Sequence, residues 1–367
     1  MHQKVNSTDI ANLRFSNQQL EGSKFTSAKE LVGWMGALQS QDFPMSKWAV
    51  GMRLQDATER MIDSAFDEGT IIRMHLLRPT WHLVAAEDVC WMLALSRAHI
   101  QMAMRSRDKE LELTNAVFSK SNAILESSLR DGNHMTRPEL LVKLEDAGIA
   151  TDKNRASHLL MHAESEGLIC SGKSKANQYT YALLPERVPN TKKLLKEEAL
   201  AELARRYFLS HGPATLRDFG WWSGLSASAS RLGVEMVKNE LATEILEGQQ
   251  FWFSQSFVGV KREMASIYLL PSYDEFIISY SDRKASLTHE DHQRAVSSNG
   301  LFRPVMIRHG KVTGIWKREL SKDKIRLATY CFQPETDELL QGIDLAIKAY
   351  GRFMQRPVVW NNTGQVI

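Results

Sequence analysis

The stretch that most limits how this chain can fold lies between about residues 118 and 185, where three helical runs lead into two alternating strands. Apolar residues recur at helical spacing over residues 116–130 (Val117, Ile124, Leu125, Leu129), and Asp131-Gly132-Asn133 stops the run. Thr136 then predicts an N-cap, with Pro138 near the first turn and Glu139 three residues on, for a short helix ending at Gly148. A third helix is expected over about 152–166, ending at Gly167. Residues 168–170 and 179–183 alternate like two strands around the loop Ser171-Gly172-Lys173-Ser174-Lys175-Ala176-Asn177. Three helices and a hairpin with a basic tip is the order of a winged helix.

The same order returns downstream. Residues 196–210 read as a helix, Gly212-Pro213 breaks it, and Thr215 caps a short helix ending near Gly224. Ser226 or Ser228 opens a third helix reaching Leu241, and a hairpin over 243–246 and 250–253 turns at Glu247-Gly248-Gln249. A degenerate copy fits the amino terminus: Thr26 caps 28–38, a helix covers 59–68, and 74–84 returns as extended chain. Recurrence on this scale predicts a tandem array. Beyond Ser254 the pattern changes to short strand-like runs at 266–270, 276–280, 305–308, 312–316 and 325–330. Turns such as His309-Gly310-Lys311 separate them, and a helix over 335–353 closes the chain. The expected fold is α+β: three tandem winged-helix units followed by a β-barrel-like domain. Its parts are 1–95, a basic helical connector 96–117, 118–188, 189–254 and 255–367.

Hydrophobic residues make up 43% of the 367 and charged residues 24%, a balance that predicts ordered domains with buried cores. Residues 1–10 lack a secretory pattern, and no apolar run approaches the ~20 residues that cross a bilayer, so a soluble, cytoplasmic protein is expected. Cys90, Cys170 and Cys331 are odd in number and far apart, which fits neither a disulfide framework nor a zinc knuckle; all three read as buried hydrophobes. The formal net charge of +3 neither requires nor excludes a nucleic-acid partner. Local clusters carry more information: Arg97, His99, Arg105, Arg107 and Lys109 in one segment, Arg187, Lys192, Lys193 and Lys196 in another. Each reads equally as a solvated face or as a contact for phosphates.

Two motifs invite a chemical reading and lose it on inspection. Gly167 to Ser174 matches GxxxxGK[ST], but a phosphate loop must join a strand to a helix, and here a helix precedes and a strand follows. A basic wing remains, from which Lys173 and Lys175 can reach DNA phosphates. His158 and His162 lie four apart on a helix, yet Leu159 stands where a metalloprotease motif needs Glu, so no metal is assigned.

The segment Gly36-Ala37-Leu38-Gln39-Ser40-Gln41-Asp42-Phe43-Pro44 lies where a helix ends, so its two glutamines either project into a cleft or cap the helix. Gln39-Ser40-Gln41, preceded by Ala37-Leu38, resembles the paired-glutamine motif of the AlkZ-like DNA glycosylases. Further segments match that family in order: Leu77-Arg78-Pro79-Thr80-Trp81-His82-Leu83-Val84, Gly212-Pro213-Ala214-Thr215-Leu216-Arg217-Asp218-Phe219, Trp221-Trp222-Ser223-Gly224-Leu225, Leu270-Pro271-Ser272-Tyr273-Asp274-Glu275-Phe276, Asp282-Arg283 and Gly314-Ile315-Trp316. They span nearly the whole chain. Ser40 departs from the aliphatic residue that family has between its glutamines.

The resemblance implies tandem winged helices with a carboxy-terminal barrel, and catalytic roles for Gln39 and Gln41. It implies a monofunctional glycosylase for N7-alkylguanine, including bulky or crosslinked adducts, acting without a cofactor as a monomer on double-stranded DNA. Two amides can hold a water in line with C1′ of a cationic sugar, and neither serves as a general base at neutral pH. Asp42 is the alternative base. Arg78, Thr80 and His82 alternate along extended chain and either face DNA together or pack inward. Asp274, Asp282 and Arg283 are expected to brace the carboxy-terminal domain. The competing function is a non-catalytic winged-helix protein or regulator, which would gain symmetry by dimerising on half-sites.

Overall fold

The computed structural model describes residues 7–176, 178–255 and 266–362. Helix α1 (Ser7–Asn17) precedes a first unit of α2 (Ala28–Met35), β1 (Leu38–Gln39), α3 (Phe43–Gly51), α4 (Glu59–Glu68), β2 (Ile71–Leu76) and β3 (Thr80–Ala85). The long α5 (Val89–Glu110) leads into α6 (Asn115–Leu129), β4 (Met135–Thr136), α7 (Arg137–Asp146), α8 (Arg155–Ser165), β5 (Ile169–Ser171), β6 (Thr180–Leu183) and the short α9 (Leu184–Arg187). A further set follows: α10 (Lys196–His211), α11 (Leu216–Ser223), α12 (Ala227–Val237), β7 (Leu241–Leu246) and β8 (Gln249–Ser254). The remainder comprises β9 (Ile267–Leu270), α13 (Glu275–Ile278), α14 (His289–Ala295), β10 (Val305–Arg308), β11 (Lys311–Leu320), β12 (Ile325–Cys331), α15 (Asp337–Met354) and β13 (Val358–Asn362). The protein is α+β.

Each of the first three sets repeats one connection. The chain between its first and second helices adds to the second strand of its hairpin: β1 on β3, β4 on β6, and Ala214 bridging Trp252 of β8. Local chemistry fixes these joints. Thr136 and Thr215 each close a capping box, with Glu139 and Asp218 respectively, so the strand ends where the next helix begins. Ser226, rather than Ser228, caps α12. Ser27, rather than Thr26, caps α2, which stops at Met35 instead of running to residue 38.

Several elements differ from the sequence reading. Residues 74–84 are not one extended run: β2 and β3 form a hairpin around Leu77-Arg78-Pro79. Helix α3 was not anticipated, because seven of its nine residues are buried and a helix covered on all sides carries no amphipathic period. Residues 276–280, expected as a strand, overlap α13; Asp274 accepts the Phe276 N–H at 2.9 Å and starts a helical turn instead. Among the described residues the carboxy-terminal sheet is open, in the order β13-β12-β11-β10-β9 with the parallel strand β13 at one edge, and does not close as the expected barrel. Cys90 is exposed and Cys331 half-buried, while Cys170 is buried as expected. Helix α5 runs unbroken through residues 95 and 96, where a connector was expected to begin.

The cores cross the chain. One apolar cluster joins α2, α3 and α4 to β9, β11, β12 and α15; another joins β2, β3 and α5 to α10, α11 and α12. Two smaller clusters are formed largely within α6–β6. Between the first unit and the carboxy-terminal part, Arg53 donates to both oxygens of Asp274 at 2.8 and 2.7 Å, with both side chains fully buried. Removing one partner of such a pair typically costs about 3–5 kcal/mol, since the other charge is stranded. This pair holds Asp274, and therefore the start of α13, against the first unit.

Candidate active site

The two glutamines sit where the first unit departs from its relatives within the chain. Gly36, at φ +78°, ends α2, and the Trp222 ring lies 3.3 Å from where a Cβ would stand, so a larger residue would be both strained and crowded. Leu38 and Gln39 then pair with Leu83 and His82 of β3, and the Ser40 N–H continues to the Trp81 carbonyl at 2.7 Å. Asp42 caps α3, accepting the Met45 N–H at 3.2 Å. In the other two units the capping threonine ends the short strand or immediately follows it. Here Ser40 and Gln41 intervene between strand and cap.

Those two residues have opposite surroundings. Ser40 is fully buried; its hydroxyl meets that of Ser46 at 2.8 Å, and Arg73 donates to its carbonyl at 2.9 Å. A polar residue is thus accommodated where the resembling family carries an aliphatic one. Gln41 is exposed in the bend before α3 and makes no protein hydrogen bond among the described residues.

Gln39 is held from two sides. Its backbone N–H donates to Glu275 Oε1 at 2.5 Å, and its side-chain Oε1 accepts from Arg78 Nη2 at 2.9 Å. Arginine has no acceptor, so the Gln39 atom facing it is the carbonyl oxygen and the amide nitrogen is turned away. Glu275 is buried at the start of α13, where its other oxygen accepts from Trp222 Nε1 at 3.1 Å and from the Ser279 hydroxyl, with His211 Nε2 at 3.7 Å. Burial opposes its charge, yet the His211 ring, the Ser279 hydroxyl and the Gln39 amide hold its carboxyl down to about 2.

Arg78 rides on a strained turn. Its N–H donates to the Leu76 carbonyl at 2.7 Å while Leu77 adopts φ +59°, and the Thr80 N–H donates to Arg78 O at 2.6 Å. Two successive three-residue turns, the first with a left-handed leucine, aim the guanidinium back over β1. Gly224 lets the turn sit there, since a Cβ at that position would lie 2.7 Å from the Leu77 carbonyl. Burial lowers the Arg78 pKa, and the Glu275 charge opposes that shift. The guanidinium carbons of Arg78 and Arg283 lie 5.8 and 5.5 Å from the centre of the half-exposed Trp221 ring.

The structure thus brings Gln39 and Arg78 together, and it separates the surroundings of Arg78, Thr80 and His82. His82 is completely buried on the Gln39 side of the sheet, and burial together with the Arg78 charge pushes its imidazole down to about 3. Thr80 is half-buried. Thr80 Oγ1, His82 Nε2 and Arg78 Nε find no hydrogen-bond partner among the described residues. Lys173 and Lys175 are exposed on the β5–β6 loop, whose Asn177 lies outside the described residues. Lys175 pairs with Glu139 at 2.6 Å, and the loop is tied down by Lys173 N–H to His134 at 2.8 Å and Ser174 N–H to Asp67 at 2.8 Å. The GKS turn joins two strands and does not lead into a helix. His158 bonds Asp108 at 2.6 Å and His162 stacks on Phe118, so the two rings do not converge.

Asp274 braces α13 through Arg53, Arg283 donates to the Ile277 carbonyl at 2.9 Å, and Asp282 accepts the Lys284 N–H at 3.0 Å. Glu275, Trp221 and Trp222 lie within the family-like segments 270–276 and 221–225, but no short window of sequence assigns them to this site. The available signal was a carboxylate abutting the apolar run Phe276-Ile277-Ile278, a charge that must find donors when that run is buried. A cleft of about 660 Å³ between α3, β9 and α15 has neither glutamine in its lining.

A family model described as DNA glycosylase AlkZ-like matches residues 32–353. The solved structure of Streptomyces sahachiroi DNA glycosylase AlkZ is similar with a TM-score of 0.79, covering 98% of this chain and 100% of that one at 18% identity, a likeness of fold. A search of curated proteins gives no match.

Proposed function

Because the chain belongs to the AlkZ-like DNA glycosylase family, we propose that it hydrolyses the N-glycosidic bond of cationic N7-alkylguanine in duplex DNA. In this reading the three helix-and-hairpin units are winged helices that grip the duplex as a monomer in the cytoplasm, and Gln39 and Gln41 are the catalytic pair. The observation that carries it is the disposition of the pair: one amide anchored by Arg78, the other exposed with its oxygen and nitrogen uncommitted among the described residues.

Water attacks C1′ as the bond to N9 breaks; the bonding electrons pass to the base and cancel the charge that alkylation placed on it. The water's surplus proton leaves to solvent. Amides contribute orientation, the Gln41 oxygen accepting from the water and the Gln39 NH2 donating, without moving a proton themselves. A neutral lesion lacks the built-in charge and needs a general acid, a service worth ~10²–10⁴-fold that amides do not supply. The exposure of Gln41 supports acceptance of bulky or crosslinked adducts, because a lesion can be met at the surface without entering a tight pocket.

Single-turnover assays on duplexes carrying N7-methylguanine, a bulky N7 adduct, hypoxanthine or uracil test the reading. Both N7 adducts are expected to be released, with hypoxanthine and uracil slower by about 10²-fold or more. Gln41→Ala combined with Gln39→Ala should abolish release while DNA affinity stays within a few fold. Full activity in the double variant would remove the glutamines from the mechanism, and equal rates on hypoxanthine would call for an acid, with Asp42 the first candidate.

A further inference from the structure

We propose that Arg78 and Glu275 are positioning residues that fix the direction of the Gln39 amide, making Gln39 the hydrogen-bond donor of the pair and Gln41 its acceptor. This rests on the reading of the glutamine pair as the reactive site. The alternation of Arg78, Thr80 and His82 along the sequence offered Arg78 instead as a DNA contact. The geometry points elsewhere.

The guanidinium is mostly withdrawn from solvent, and its hydrogen bond to Gln39 Oε1 is the one its side chain makes among the described residues. Glu275 acts on the same residue from below through the backbone N–H. An amide side chain free to rotate exchanges its oxygen and nitrogen positions; one whose oxygen faces a cation and whose backbone is tied to a carboxylate does not. The clamp draws on three elements distant in sequence, namely β1, the β2–β3 turn and α13, with Trp222 of α11 bonding the same carboxylate.

The pair of charges also answers an electrostatic difficulty. A lone guanidinium beside a site for a cationic base and a cationic sugar would repel both. The Glu275 carboxylate within the same network offsets it, so Arg78 can orient an amide without opposing the developing charge.

The experiment compares Arg78→Met, Arg78→Lys and Glu275→Gln by single-turnover release of N7-methylguanine under saturating protein, alongside DNA affinity across a salt series. Positioning predicts that Arg78→Met slows release roughly 10²-fold, the scale of losing near-attack geometry. Affinity should stay within a few fold, with an unchanged slope of log affinity against log salt. Arg78→Lys, which retains a donor and a charge, should recover part of the rate. If Arg78→Met instead lowers the salt slope by about 0.9 and leaves the saturated rate intact, Arg78 is a phosphate contact and the proposal fails. Unchanged rate and unchanged slope overturn it equally.

Glu275→Gln should slow release without altering the slope; should that variant not fold, the Arg78 variants decide. A wild-type protein that releases no base would refute the parent reading. The clamp itself would then be judged by a double-mutant cycle of Arg78→Met and Gln39→Met on the urea midpoint. Additive shifts overturn the clamp; non-additive shifts sustain it.

Discussion

At the scale of single residues, the neighbourhood of Gln39 holds several groups whose folded pKa values lie below their ordinary ones, His82 and Glu275 by the widest margins. His82 falls from 6.5 to about 3 chiefly through burial, and Glu275 from 4.5 to about 2 through its donors. For His82 the unfolded chain binds the proton first, so stability is full above pH 6.5 and declines as pH falls from 6.5 towards 3. For Glu275 the contribution is present above 4.5 and lost between 4.5 and 2. The windows therefore separate. Between pH 6.5 and 5 the His82 linkage acts while that of Glu275 is silent, and it should cost about 2 kcal/mol. Burial also lowers His134, His162 and His211, so urea unfolding at the two pH values should show at least this loss in the wild type and a smaller one in His82→Asn; equal losses in both would mean that the His82 ring is not buried neutral.

At the scale of elements, legibility followed chemistry that is local. Thr136 with Glu139 announced α7 because a capping box lies within four residues, and Gly148 and Gly224, at φ +76° and +71°, marked helix ends as only a residue without Cβ readily does. What escaped is what distant residues decide. The Phe276-Ile277-Ile278 run is buried throughout, so neither a twofold nor a 3.6-fold pattern exists to be read, and the Asp274 cap, held by Arg53 from the first unit, chooses the helix. The parallel strand β13 depends on pairing with β12 across the whole of α15. The glutamine segment was visible through resemblance, whereas the Arg78 and Glu275 contacts join positions 39, 78 and 275 and leave no mark in any short window. The β5–β6 loop belongs to this scale too. Replacing both Lys173 and Lys175 by Ala should lower the salt slope of DNA affinity by up to about 2, less if the Glu139 pairing already withholds Lys175 from DNA. An identical slope would mean that this loop does not meet the duplex.

At the scale of the whole molecule, the three similar units are unequal in independence. The middle one encloses its own clusters around Leu125, Leu140, Leu160 and Leu183 and around Phe118, Leu144 and Leu159, whereas the first shares its core with the last strands and helix of the chain. A fragment of residues 112–188 is expected to unfold cooperatively by thermal circular dichroism, and a fragment of residues 7–110 to show no cooperative transition. A sharp transition in the latter would contradict the shared core. The same arrangement has a consequence on the ribosome. Phe66 and Leu339 belong to one cluster, and at roughly 5–20 residues per second the ~270 residues between them take about 15–55 s to synthesise. The segment bearing the glutamines therefore emerges early and waits, its apolar faces uncovered, while the middle unit has already closed. The first unit is made before the middle one yet becomes native after it, and through that interval its apolar faces lack the partners that cover them in the finished fold.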